Sequence, residues 1–487
     1  MTTNPADTAA ATSAPDSGRI AAHHATVIRL LLVSAFVVIL NETIMGVAIP
    51  PLMVSLGVDA GAAQWLTTAF LLTMAVVIPI TGFLLQRLHT RTIFIAAMTL
   101  FCLGTLVAAL APGLPVLVIA RVIQASGTAI MLPLLMTTVM TLVPPESRGK
   151  TMGNISIVIS VAPAIGPTIS GLILNYLTWR WLFVLVLPIA IGALMLGVRR
   201  IENVTTPRKA PLDLVSVLLS ALGFGGGVYG LSLLGAPTAP QSFPAWLAVG
   251  GVGLVAFVVR QLALQRHDRA LLDLRTFKSR NFSVSVLLMA IMMMALFGTL
   301  IVLPIYLQNV RLLSTLDTGL LLLPGGLLMG LLGPPVGRQY DRIGPAKLLI
   351  PGVVIVTAVL WAMTLLGPTT PVPYILAGHL VMSVGFALLF TPLFTVSLSS
   401  VKPQLYSHGS AVLGSTQQLA GASGVALFIA MMSVEHARVL GGGAPELEAL
   451  AAGIRAAFLC GAIASLCAVV CALFIRKPDV AALVAPH

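Results

Sequence analysis

Apolar runs of about twenty residues recur almost from one end of this chain to the other, broken only by short polar hinges. A helix of that length crosses the hydrocarbon core of a bilayer, about 30 Å thick. Asp, Glu, Lys and Arg make up 9% of the chain against 58% hydrophobic residues, whereas a soluble domain is about a quarter charged. The runs leave no room for a sizeable soluble domain. They predict an all-α integral membrane protein with fourteen transmembrane helices, at 28–53, 62–85, 91–111, 114–140, 150–174, 181–199, 212–234, 244–264, 281–308, 317–336, 346–367, 372–398, 408–434 and 454–475.

A net charge of +12 raises the question of a nucleic-acid partner, and the placement of the charges answers it. Of 27 Lys and Arg, Arg180, Arg311, Arg438 and Arg455 fall in one set of alternate hinges and Arg121 inside a helix, which leaves 22 in the set on the N-terminal side. Such asymmetry is the positive-inside pattern. It predicts both termini in the cytoplasm of a multi-pass protein of the cell inner membrane, and the lipid bilayer, not nucleic acid, as partner. Cys102, Cys460, Cys467 and Cys471 lie in apolar runs without paired histidines, which reads as small-residue packing, with no metal and no cofactor expected.

Residues 1–25, rich in Ala, Thr, Ser and Pro, read as a disordered tail with no cleavable signal peptide. Residues 26–199 form one six-helix half, 200–280 a linker carrying two inserted helices, 281–475 a second six-helix half, and 476–487 a cytoplasmic tail. A repeat supports the division. Gly82-Phe-Leu-Leu-Gln86-Arg87-Leu-His89-Thr-Arg91 after the second helix matches Gly337-Arg-Gln-Tyr-Asp341-Arg342-Ile-Gly344-Pro-Ala-Lys347 after the tenth, an offset of 337 − 82 = 255. Gly153 with Gly409, and Arg121-x5-Gly127 with His379-x5-Gly385, keep nearly that offset. Duplicated six-helix units place substrate and ion sites at the midplane between them.

The Gly337–Lys347 turn is either a solvated hinge or a conformational latch, and its second copy favours the latch. Gly82, Arg87, Arg91, Gly337, Asp341, Arg342 and Gly344 are its expected members, with glycines allowing close approach and charges pairing across helix ends. The fifth helix carries Ala162-Pro163-Ala164-Ile165-Gly166-Pro167, where small residues and prolines suit a contact that rocks, so Gly166 and Pro167 join the switch. Arg121, one to two turns inside the fourth helix, is costly unless it meets a partner or a wet cavity. Glu42 is the one carboxylate well inside a predicted helix and is a candidate proton carrier. His379, the repeat mate of Arg121, is either a third titratable group or a satisfied polar contact. The Met292–Met294 run with Phe297 offers soft surface for varied ligands, or for lipid.

Together these motifs resemble the major facilitator superfamily, and within it the fourteen-helix drug:proton antiporter branch. Gln64-Trp65, Pro79, Gly82, the Arg121 motif, Gly166-Pro167, Trp179-Arg180-Trp181-Leu182-Phe183 with Pro188, and Gly409 to Gly424 with Gln417 and Gln418 follow that branch's order. Asn41 followed by Glu42 stands where the branch usually has Asp, which resembles a lincomycin-exporter-like subgroup; Gln86 and His89 replace the usual Asp and Gly, and Val186 a common Asn. The resemblance implies export of small lipophilic, cationic molecules in exchange for protons by alternating access, by a monomer that is not an enzyme. Asn41, Trp65, Gln124, Met294, Phe297, Gln308 and Gln417 are the expected substrate-cavity residues, with Glu42, Arg121 and His379 coupling protons. Nothing supports ATP hydrolysis, since no Gly-x4-Gly-Lys-Ser/Thr loop is present. The alternatives are a dedicated exporter of one endogenous metabolite or lipid, and a membrane sensor that kept the fold without transport.

Overall fold

The structure, a computed structural model, describes residues 14–203, 207, 212–234 and 242–478. Fourteen helices among them are long and apolar enough to cross a membrane. They are α1 (Ala14–Leu56), α2 (Gly61–Arg87), α3 (Thr90–Leu110), α4 (Leu114–Leu142), α5 (Pro145–Tyr176), α6 (Trp181–Arg200), α7 (Leu214–Leu233), α8 (Phe243–His267), α9 (Arg280–Val310), α10 (Leu316–Ile343), α11 (Ala346–Met363), α12 (Val372–Ser399), α13 (Pro403–Gly441) and α14 (Glu446–Leu473). Helices α1–α6 and α9–α14 are the two halves, and α7 and α8 the inserted pair.

Two expectations need correction. Residues 14–25, expected in a disordered tail, are helical from Ala14, because Pro15 suits a first turn and the Ala-rich stretch that follows costs little to wind. Residues 1–13 of that tail and 479–487 of the other lie outside the described residues. Arg438 and Arg455, assigned to an outer hinge, sit inside α13 and α14, whose polar ends wind beyond the apolar runs.

The inserted pair is joined by glycines. A Cβ on Gly223 would lie 2.8 Å from the Leu254 amide, and one on Gly230 2.8 Å from that of Leu247, so the two backbones run in contact. At the base of the pair the Asp213 carboxylate accepts from Arg260 Nε at 2.7 Å and Nη2 at 2.8 Å, and from the Ser216 amide at 3.0 Å. Those donors, Arg260 first, hold the Asp213 carboxyl well below the usual carboxylate range. Gln261 Oε1 accepts from the amides of Leu271 and Leu272 at 2.8 and 3.2 Å, tying the linker after α8 to the same base.

The two halves meet chiefly along α5 and α10. At the end bearing the basic hinges, a Cβ on Gly149 would strike the Gly337 carbonyl oxygen, and one on Gly153 that of Gly333. Farther along, Gly330 faces Val161 and Gly326 faces Ala164. In the same register at the opposite end, Gly171 and Gly319 have open space around them. The helices therefore form a V, closed at the basic end and spread at the other.

Candidate functional site

Arg121 is 1% exposed, and its guanidinium is held by side chains from three helices. Nη1 donates to Gln124 Oε1 at 2.6 Å and to Asn41 Oδ1 at 3.3 Å, and Nε to the Leu66 carbonyl at 3.4 Å. The guanidinium carbon lies 4.0 Å from the centroid of the Phe70 ring, a cation–π contact. Gln124 Nε2 donates in turn to Thr105 Oγ1 at 2.8 Å. Its amide is thus engaged at both ends and holds Arg121; it does not present a free group to a solute, as a cavity residue would.

Glu42 follows Asn41 on α1 and is partly accessible. It interacts electrostatically with Arg121, yet no ion pair with Glu42 forms among the described residues. The next residue, Thr43, sits where a Cβ on Gly166 would fall, and Ser170 Oγ donates to the Ile44 carbonyl at 3.0 Å. Gly166 thus packs α5 onto α1 inside one half, not across the halves as a rocking contact would require, and Pro167 beside it is exposed.

His379 repeats the Arg121 geometry in the second half. Its Nε2 lies 3.2 Å from the Leu322 carbonyl oxygen on α10, as Arg121 on α4 meets the Leu66 carbonyl on α2. The spacings, 379 − 121 = 258 and 322 − 66 = 256, show that the duplication kept the contact while the charge changed. Nδ1 of His379 is buried without a partner.

Other expected cavity residues are scattered. Trp65 packs on Tyr229 of α7 with ring centroids 5.9 Å apart, and Tyr229 on Trp246 of α8 at 5.1 Å; Trp65 faces the inserted pair. Phe297 is 40% exposed, Met294 contributes backbone to a close contact with Gly424, Gln308 lies in a π-helical turn, and Gln417 Nε2 reaches the Leu413 carbonyl at 3.4 Å.

The basic end holds the polar contacts between halves. Asp341 accepts from the amides of Gly149 at 2.8 Å and Lys150 at 2.9 Å, at the start of α5, where free N–H groups favour an anion. Gln86, its repeat mate, donates to the Gln404 carbonyl at 2.9 Å. Thr137 and Ser410 pair at 2.9 Å, Ser156 and Thr391 at 2.6 Å. Arg342 lines a polar cleft with Glu146, Lys150 and Arg338, and Gly344 ends α10 at φ +78°, where only glycine is unstrained. Gly82 packs on His408. Two expected switch residues stay within their own half: Arg87 lies over Phe83, and Arg91 Nη2 donates to the Val198 carbonyl at 2.7 Å, closing the end of α6. Gly149 and Gly326, seam residues that the reading of motifs missed, were signalled by glycines four apart, Gly149-x3-Gly153 and Gly326-x3-Gly330.

Residues 31–425 match the model of the Major Facilitator Superfamily. This chain belongs to that superfamily. It is similar to Lincomycin resistance protein LmrB of Listeria monocytogenes, 39% identical over 93% of this chain and 96% of that protein, and to LmrB of Bacillus subtilis, 38% identical over 92% and 95%. The Multidrug resistance protein B homolog of Mycobacterium tuberculosis is 28% identical over 82% and 75%. Among solved structures, the human organic anion transporter MFSD10 superposes with a TM-score of 0.66 at 14% identity, over 92% of this chain and 99% of that one. The proton:xylose symporter XylE gives 0.63 at 15%, over 94% and 97%. The likeness to these two shows the fold.

Proposed function

We propose that this major facilitator transporter exports lipophilic, cationic drugs or toxic compounds in exchange for protons, as a monomer in the cell inner membrane with both termini and the basic end in the cytoplasm. The resistance named for its relatives supports drug export. The observation that carries the coupling is Glu42. Every other described carboxylate in the fourteen helices lies within two turns of a helix end, whereas Glu42 stands 56 − 42 = 14 residues before the end of α1 and within the field of Arg121. A proton and a bound cation both neutralise that carboxylate, so each displaces the other, and that competition is antiport. The V between α5 and α10 supports alternating access, because closing one end of it opens the other.

One proton exchanged for one monovalent cation moves no net charge, so a gradient of one pH unit sustains about a tenfold solute gradient, ~1.4 kcal/mol. A neutral solute would add about 2.3 kcal/mol per 100 mV for each charge moved. The test is solute flux from proteoliposomes with simultaneous pH recording, using lincomycin and a panel of cationic dyes. Purified protein should release protons on binding a cation, and Glu42→Gln should release none and lose uphill export. Proton release from Glu42→Gln at the parent's level would move the carrier elsewhere, with His379 next in line.

A further inference from the structure

His408 on α13 occupies the seam where that helix meets α2 at the basic end. The position a Cβ on Gly82 would take lies 3.0 Å from His408 Nδ1 and 3.3 Å from its Cα, so the ring faces bare backbone across the seam. The residue is 3% exposed, and Nδ1 has no hydrogen-bond partner. One turn before it, Gln404 accepts the bond from Gln86 that joins the two helices.

The linker supplies the charges that bear on this ring. Asp273, 4% exposed, receives Arg275 Nε at 2.8 Å, and both act electrostatically on His408. Asp273 is fixed there because Gln261 holds Leu271 and Leu272 just before it, and those two leucines are buried. From the other elements around it, Phe282 of α9 packs beside Gly409 and Thr137 of α4 bonds Ser410. Arg148 at the start of α5 lies over the Tyr406 ring at 5.5 Å, and Arg87 of α2 is at the exposed rim over Phe83. The charged groups that act on the ring are therefore Asp273 and Arg275, with Arg148 over Tyr406 and Arg87 at the rim beyond them.

We propose that His408 is a proton-operated latch on the basic end: neutral it lets α2 and α13 close, and protonated it parts them. An imidazolium carries N–H on both nitrogens. In the closed seam the Nδ1–H would meet Gly82 with no acceptor, and an unpaired buried charge is costly. Parting α2 from α13 lets water reach it. Asp273 offsets little of that cost while closed, since Arg275 already shares its carboxylate. Acid on that side of the membrane thus favours opening there, whatever solute is carried, and the inserted pair gains a part in the cycle by positioning Asp273 through the linker.

The test uses the full-length protein with its four cysteines replaced, spin labels on Leu88→Cys and Lys402→Cys, and lipid nanodiscs without solute. Distances between the labels are read from about pH 8.5 down to pH 5.5. A longer-distance population should grow from minority to majority as pH falls. His408→Gln should keep the short distance throughout, with His408→Asn as a second neutral replacement. Asp273→Asn should move the transition to lower pH, because it removes the nearby anion that favours the imidazolium; a purely structural role for Asp273 would change the distances but not the midpoint. Glu42→Gln should retain the parent's transition, which separates this latch from the coupling site. Distances in the parent that ignore pH, or a transition that survives in His408→Gln, would overturn the proposal.

Discussion

Arg121 Nη1 donates at 2.6 Å to Gln124 Oε1, one turn farther along the same helix, and the same atom reaches Asn41 on α1. A single fork thus ties α4 to α1 and fixes the cation beside Glu42 without pairing it to Glu42. Lysine offers a point charge in place of that fork and cannot serve Asn41, Gln124 and the Leu66 carbonyl together. Arg121→Lys should insert and fold yet lose at least about tenfold in proton-driven transport. Arg121→Ala strands the Gln124 and Asn41 oxygens and should cost roughly 1–3 kcal/mol in stability, read as a lowered melting temperature in detergent.

The α5/α10 seam predicts opposite effects at its two ends. Gly337→Leu inserts a side chain where the Gly149 carbonyl lies, so it should hold the basic end open. Gly171→Leu enters open space in the present state and should instead block closure of the far end. Cysteine-labelling rates at residues lining the two mouths would show the bias, and both variants should transport poorly while folding well. Equal labelling patterns in the two would remove the seam from the cycle.

The fourteen spans were legible because a bilayer demands length and apolarity, which composition records directly. The partners of the small residues were not. Gly166 carries the most recognisable motif of α5 yet packs on Thr43 in its own half, whereas Gly149 and Gly326 line the seam without belonging to any of the motifs singled out in the sequence. Arg91 reads as part of a charged latch but closes α6, since a carbonyl at a helix end binds a guanidinium as well as a carboxylate does.

Asp341 and Gln86 occupy equivalent positions with unequal chemistry, a carboxylate accepting two amides and an amide donating to one carbonyl. Bonds to charged groups are stronger. Asp341→Asn should therefore shift the population away from the state closed at the basic end by about 1–2 kcal/mol, and Gln86→Ala by less. Distances between labels across the basic end, measured for both variants under one condition, would rank them.

The Asp213–Arg260 clamp sets a pH expectation of its own. Its carboxyl titrates below the usual range, so its stabilisation is fully present above the unfolded value of about 4 and is lost only as pH falls through the lower folded value. Asp213→Asn should lower the melting temperature by the same amount at about pH 5.5 and pH 8. A deficit that vanished at pH 5.5 would mean that another group holds the base of the inserted pair.

Orientation is open to labelling. Ser147 and Thr369, both exposed, lie at opposite ends of the bundle, so single cysteines there should react from opposite sides, Ser147→Cys only from the cytoplasm. Thr238, an otherwise natural outer position, lies outside the described residues.

The bare backbone along α5 and α10 has an energetic consequence. Apolar burial is worth about 25 cal/mol per Å², and glycine against glycine brings almost no side-chain area to that account. Tilting the halves therefore trades little hydrophobic energy in either direction, and the two tilts stay nearly degenerate. Under the proposed exchange, the few bonds at the basic end and the charge state of Glu42 are then enough to choose the favoured tilt. On the proposed proton coupling a modest gradient would turn the cycle, because little of its work is spent repacking a core.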